Sequence, residues 1–231
     1  MATYTDKVRR VKAKALHYSD GALAHTFTEN NRIKSIEIQR VGENSKFFGF
    51  GISHRLNMKL IDVNRELNFT TSDYFIPSIG LEEYTQFPHM YITETNRDEN
   101  TNELSITAYD ILEKSKKHTF SELTLAAPYT IADVVNAIAT FIGISANIPN
   151  LDVFNTNYPN GANLEGTESL YDLLTAAAEA TQTIFYINGS NTLVFKRLDI
   201  SGNPALTITK EDYITLDSGD NRSLQTRCSA T

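Results

Sequence analysis

One stretch limits the possible folds more than any other: Lys46-Phe47-Phe48-Gly49-Phe50-Gly51-Ile52-Ser53-His54-Arg55-Leu56-Asn57-Met58-Lys59-Leu60-Ile61-Asp62. From Phe48 onward apolar side chains fall on Phe48, Phe50 and Ile52, then on Leu56, Met58 and Leu60, with small or polar residues between them. A period of two puts one face of a strand in a core and the other in water. The stretch predicts one long half-buried strand, and the glycines inside it predict a bend, as at a barrel corner.

The rest of the first half follows the same period. Arg32 to Arg40 alternates with a change of phase, which predicts a strand that carries a bulge or has a two-sided environment, and Val41-Gly42-Glu43-Asn44-Ser45 is turn chemistry. Asp73 to Gly80 reads as a strand that Pro77, lacking a backbone N–H, sends to an edge or a bulge. Met90 to Thr95 and Leu104 to Asp110 form a hairpin around the polar loop Asn96 to Glu103.

Near residue 126 the pattern changes to a helical one. Thr130 and Asp133 form a capping-box variant ahead of Ile131, Val134, Val135, Ile138, Phe141 and Ile142, and Gly143 stands at the C-terminal cap. Ser169 and Asp172 repeat the device before Leu170, Leu173, Leu174, Ala177 and Ala178. Asn147 to Gly166, rich in Asn, Pro and Gly, reads as an ordered loop or a linker. Thr183 to Ile187 and Thr192 to Lys196 flank Asn188-Gly189-Ser190-Asn191, a hairpin signal.

The expected class is therefore α+β, mainly β. Residues 1–125 form a barrel-like β domain and 126–200 a small α+β domain of two helices and a hairpin. Residues 201–231, with strand-like Leu206 to Ile208 and Tyr213 to Leu216, read as the beginning of a second β domain, cut short. A chain of 231 residues that is 41% hydrophobic can bury a core without staples. Its one cysteine, Cys228, cannot form an intramolecular disulfide and has no neighbouring base to make it a nucleophile. No run is long and apolar enough for a membrane helix, and no secretory signal opens the chain, so folding in the cytosol is expected. The net charge of -7 argues against nucleic acid as the main partner. The basic cluster Lys7, Arg9, Arg10, Lys12 and Lys14 reads as the polar face of an edge strand or as an arm.

The catalytic inventory is empty. No nucleophile elbow, zinc-protease helix, C-x-x-C pair or phosphate-cradling glycine loop is present, and Gly49 and Gly51 sit inside a strand with no helix following. His17, His25, His54, His89 and His118 are scattered, which predicts no metal site. Asp98-x-Asn100-x-Asn102 starts like a calcium loop but lacks the next glycine and has Tyr109 where the bidentate Glu belongs, so a polar hairpin loop is expected. Glu82-Glu83 and Glu211-Asp212 are chain neighbours, which on a strand point to opposite faces and make poor acid/base pairs.

Several of these segments, in this order, resemble the N-terminal region of prophage tail proteins, the tail-associated hub proteins of long-tailed phages. They are Ile33 to Ile38, Lys46 to Ile52, Met58 to Asp62, Pro88 to Glu94, Leu104 to Leu112, Pro128 to Val134 and the Leu170 to Leu174 helix with its hairpin. The resemblance spans roughly residues 8–215. It implies a baseplate-hub fold, in which barrel-like domains of three subunits close a ring around the tail channel and join the tube to the host-facing tip. It also implies a homotrimer, contacts with distal tail and tube proteins, DNA only as passing cargo, no membrane, no cofactor, and a place in the virion tail after synthesis in the bacterial host cytoplasm. Longer relatives carry receptor-binding or wall-degrading extensions, and this chain stops before one.

Two further readings stay open. A receptor- or carbohydrate-binding tail module would need an exposed aromatic platform, for which Tyr84, Phe87, Tyr91 and Tyr158 are the candidates. A cell-wall-degrading tail enzyme would need a convergent catalytic group, and no catalytic residue is assigned.

Overall fold

The computed structural model describes residues 12–42, 48–80, 83–158 and 166–197. Its strands are β1 (Lys12–Ser19), β2 (Ala22–Thr28), β3 (Ile33–Val41), β4 (Phe50–Ile61), β5 (Tyr74–Gly80), β6 (Thr85–Gln86), β7 (Met90–Asp98), β8 (Glu103–Tyr109), β9 (Tyr129–Thr130), β10 (Ser145–Asn147), β11 (Asn157–Tyr158), β12 (Thr183–Ile187) and β13 (Thr192–Arg197). Its helices are α1 (Leu112–Ser115), α2 (Ile131–Phe141) and α3 (Leu170–Thr181), with 3-10 turns at Phe120–Glu122 and Asp152–Asn155. The protein is α+β and mainly β.

The sheet order β2-β1-β5-β7-β8-β4 is antiparallel throughout, and β3 pairs with the far side of β4. The terminal strands of this path, β2 and β3, are consecutive in sequence, and both send side chains, Phe27 and Ile33, into one core with Ala15, Leu56, Leu60, Phe75, Met90 and Ile106. The sheet is thus curled around that core. Among the described residues only an isolated Thr28–Arg32 bridge spans the seam, with no ladder closing it.

Several details depart from the expectations. Lys12 and Lys14 lie on a strand flanked on both sides, because Asp20 and Gly21, both at positive φ, make the tight turn that lays β2 outside β1. Lys7, Arg9 and Arg10 lie outside the described residues. Pro77 sits in an interior strand, opposite Ala15 on one side. Its carbonyl accepts from Phe87 N–H on the other side, so its missing N–H points to that same side, just past the short β6 ladder and before the β7 pairing, and costs the ladder one bond. The expected phase change in β3 is a register shift between Ile33 and Ser35.

The largest departure is in β4. Along its second half Leu56, Met58 and Leu60 are buried, as the alternation requires, but in its first half Gly51 and Ser53 are buried while Phe50 and Ile52 are only half so. Phe48 is 45% exposed. The cause is a second partner. Ile184 to Tyr186 of β12 run parallel to Phe50 to Ile52, continuing the sheet through β13 to β10, and α3 packs on the face where Gly51 lies. A Cβ on Gly51 would stand 2.5 Å from the Phe185 ring and 2.8 Å from Tyr171 Oη. Gly49, at φ +75°, would drive its Cβ into Glu179 Cγ. These glycines permit close helix–strand approach and mark no barrel corner.

The second core includes Leu112, Val135, Ile138, Phe154, Leu170, Leu174, Ala178, Phe185, Leu193 and Phe195. Both helices begin at the expected caps. Thr130 and Asp133 close a reciprocal box, and Ser169 Oγ accepts from Asp172 N–H at 3.1 Å. Gly143 takes φ +80° just after α2. Of the two readings of the Asn-rich segment, its described residues fit the ordered loop, with the end of β10, a 3-10 turn and β11. The described residues all fall in one compact unit, and pairing runs unbroken from one core to the other. The segment expected to open a second β domain, with Cys228, Glu211 and Asp212, lies outside the described residues.

Candidate functional site

The four aromatic candidates do not form a platform. Tyr84 is exposed at 45%, Phe87 is half-buried edge-on to His54, Tyr91 is half-buried, and the Tyr158 side chain lies outside the description. Tyr91 belongs instead to a row that crosses five strands. Tyr18 pairs with Tyr74, Tyr74 with Tyr91 and Tyr91 with Tyr109, and Arg55 stands opposite Tyr109. Directly opposed residues on antiparallel strands share a face, so the row lies on the side of the curled sheet away from its core.

The row is built by contact as well as by register. Tyr18 and Tyr74 stack at 5.0 Å with a 2° interplanar angle, His89 stacks on Tyr74 at 4.8 Å, and Tyr74 meets Tyr91 at 5.6 Å. Two cations sit on it, Lys114 at 4.1 Å from the Tyr91 ring centre and Arg55 at 5.8 Å from that of Tyr109. Burial, then the neighbouring phenols, pushes the Tyr74 and Tyr91 hydroxyls up, and burial pulls the Lys114 ammonium down. The phenols therefore stay neutral at physiological pH, and the strip offers stacking and cation–π contact in place of acid/base chemistry. Its trace in the sequence is only a tyrosine next to a polar residue, and the fold decides which of the two is buried. His17-Tyr18, Asp73-Tyr74 and Tyr109-Asp110 each set a tyrosine beside a buried polar residue, so each tyrosine must face outward.

The polar residues on the inward side hold the fold. Asp110, 1% exposed, accepts from Ser53 Oγ at 3.0 Å, His54 N–H at 2.6 Å, His54 Nδ1 at 3.0 Å and Leu112 N–H at 3.2 Å. The serine bonds the carboxylate and not the imidazole, so this is no Ser-His-Asp relay. His17, also buried, lies 3.1 Å from His25 through the two Nδ1 atoms. Its Nε2 is 3.3 Å from Asp73 Oδ2 but without hydrogen-bond alignment. Burial lowers the His17 pKa against the opposing pull of Asp73. Sequence spacing hid the His17–His25 approach, which the Asp20-Gly21 turn creates.

Among the described residues no group of three or more His, Cys, Asp and Glu is arranged to hold a metal. At Asp98 a carboxylate oxygen accepts from Asn100 N–H at 2.9 Å, a tight turn between strands that extend to Asp98 and Glu103. No helix among the described residues is long and apolar enough to cross a membrane.

The architecture is a curled antiparallel sheet continued, through one shared strand, into a helix-backed mixed sheet. Two solved structures share it. The 43 kDa tail protein of prophage MuSo2 from Shewanella oneidensis matches with a TM-score of 0.53 at 12% identity, over 80% of this chain and 52% of that one. The tail protein from Neisseria meningitidis MC58 matches with a TM-score of 0.55 at 14% identity, over 84% and 53%. The chain spans about half the length of the solved structures it matches. At these identities the likeness is one of fold: the chain has a fold found in phage and prophage tail proteins. No protein-family model matches the chain, and no curated protein matches it in sequence.

Proposed function

We propose that this chain is a structural component of a phage tail tip, a baseplate-hub protein that assembles into a ring joining the tail tube to the host-facing tip. The observation that carries the reading is the fold shared with two tail proteins across at least 80% of the chain.

The surface supports it. Strand β2 pairs only with β1, β3 only with β4, and β10 only with β13 among the described residues, which leaves sheet edges with unused backbone groups. Ring closure against neighbouring copies covers such edges. The tyrosine row with Arg55 has the residue types that fill the centres of protein interfaces. A net charge of -7 suits a channel through which DNA passes as cargo without being held. In this reading the partners are two further copies of the chain and the adjoining distal tail and tube proteins. The location is the virion tail, after synthesis in the bacterial host cytoplasm, and no catalytic step, metal or cofactor is assigned.

The test is solution mass by light scattering after size exclusion, over a concentration series. A trimer near 78 kDa, three times the 25.9 kDa chain, or a monomer–trimer equilibrium is expected. A strict monomer at every concentration counts against self-assembly by this chain.

A further inference from the structure

The Asn-rich segment builds a feature that the ring reading leaves unused. Between the exposed side of α2, the end of β10 and the 3-10 turn Asp152–Asn155 lies an open cleft of about 400 Å3. That volume falls within the range of small-molecule sites, roughly 300–1,000 Å3. Asn136, Asn147, Asn150 and Asn155 line it, all four exposed, and the half-buried Ala132, Ala146, Ile148 and Pro149 supply the apolar part, with the buried Phe154 beneath.

None of the four carboxamides hydrogen-bonds another group among the described residues, although each carries one acceptor oxygen and two N–H donors. Asn147, Asn150 and Asn155 come from the Asn-rich segment itself, and the tertiary fold brings Asn136 of α2 against them. No charged side chain lines the cleft. A phosphate, a sialic acid or an ammonium ligand would find no counter-charge there. A hydroxyl both donates and accepts, as a carboxamide does, and a pyranose ring adds an apolar C–H face for an apolar floor. The chemistry matched by a ring of carboxamides around such a floor is an uncharged, polyhydroxylated ring.

We infer that this cleft is a binding site for a neutral saccharide. The inference goes beyond the proposed ring and does not depend on it, because ligand binding and solution mass are separate measurements.

The experiment is saturation-transfer NMR on the full chain with maltose, lactose and N,N′-diacetylchitobiose, beside sialyllactose and a neutral tetrapeptide as comparison probes. Transfer to at least one neutral saccharide is expected, with about tenfold weaker binding in the double variant Asn147→Ala/Asn150→Ala. Asn136→Asp, which puts a charge on the rim, should weaken it as well. Asn96→Ala, on the distant β7–β8 hairpin, should leave binding unchanged. All four positions are exposed, so the variants should keep the wild-type circular dichroism and melting midpoint. The inference is overturned if no neutral saccharide shows transfer at millimolar concentration, if the Asn variants bind like wild type, or if the peptide binds and the sugars do not.

Discussion

Replacing Asp62 by asparagine would test whether one enclosed carboxylate holds the end of the curled sheet. The Asp62 side chain is fully enclosed and ties together three segments. Arg97 Nη1 on β7 donates to it at 2.5 Å, Arg32 Nη1 lies 3.7 Å away, and the N–H groups of Glu66 and Leu67 donate at 3.1 and 3.3 Å. Arg97 Nη2 meanwhile bonds the Leu67 carbonyl, which seats Leu67 in the core at 2% exposure. The carboxamide of Asp62→Asn would keep an acceptor oxygen but lose the charge, leaving Arg97 partly buried with no counter-ion. Breaking a fully buried pair costs about 3–5 kcal/mol. Arg97 and Arg32 keep 23% and 32% of their side-chain surface in water, so screening brings the expected loss to about 2–3 kcal/mol. For a chain of this size that is a fall of about 5–10 °C in Tm. The assay is thermal denaturation followed by circular dichroism, at several pH values. Burial alone would raise the Asp62 pKa, but the Arg97 bond and the two N–H donors outweigh it and hold the carboxyl below its ordinary 3.8. Its stabilisation is therefore complete above that value and lost as pH falls through the lower folded one. The gap between wild type and variant should stay constant from neutral pH down to about 5 and close below about 4. Coincident midpoints at neutral pH, or a gap as wide at pH 3 as at pH 7, would refute the argument.

Three other outcomes are expected. Gly51→Ala forces a methyl into the Phe185 ring and should cost about 1–3 kcal/mol by urea denaturation, with Ser53→Ala milder because it only removes a hydrogen bond to Asp110. Thr130→Ala removes the capping oxygen that accepts from Asp133 N–H and should lower stability by about 1 kcal/mol, while Thr130→Ser keeps most of it. His17 stays neutral in the fold when the unfolded chain, with its ordinary value of 6.5, takes up a proton, so stability should fall as pH drops below that value toward the lowered folded one. In His17→Gln the stability-against-pH curve between 7 and 5 should be flatter, and an unchanged slope would show that other groups govern it.

What could be read from the sequence was whatever a single partner decides. The caps at Thr130 and Ser169, the Asn188–Asn191 turn and the β3 bulge depend on neighbours in the chain, and each stands where the pattern put it. In β4 the side chains Phe50 and Ile52 alternate correctly, yet the core they were assigned to lies on the other side, because β12 and α3 arrive from far along the chain. The same limit applied to the candidate sites. Tyr91 was legible as an aromatic on a strand, but its row needs the registers of five strands, and the four clustered asparagines need a helix laid across their loop. Asp20-Gly21 was a local signal for a hairpin, and with it the Lys12 strand would have been recognised as interior.

The parallel pairing of β12 with the first half of β4 also orders events in time. A nascent chain can complete the hairpins β1–β2 and β7–β8 soon after each emerges, since their partners are close in sequence. Phe50 to Ile52 must wait for Ile184 to Tyr186, which follow only after α1, α2 and α3 have been made. Until then one side of β4 offers open backbone groups beside Phe48 and Phe50. That interval is when the chain is most exposed to wrong pairing with another copy of itself, so slower synthesis through residues 130–185 should lower the yield of folded protein.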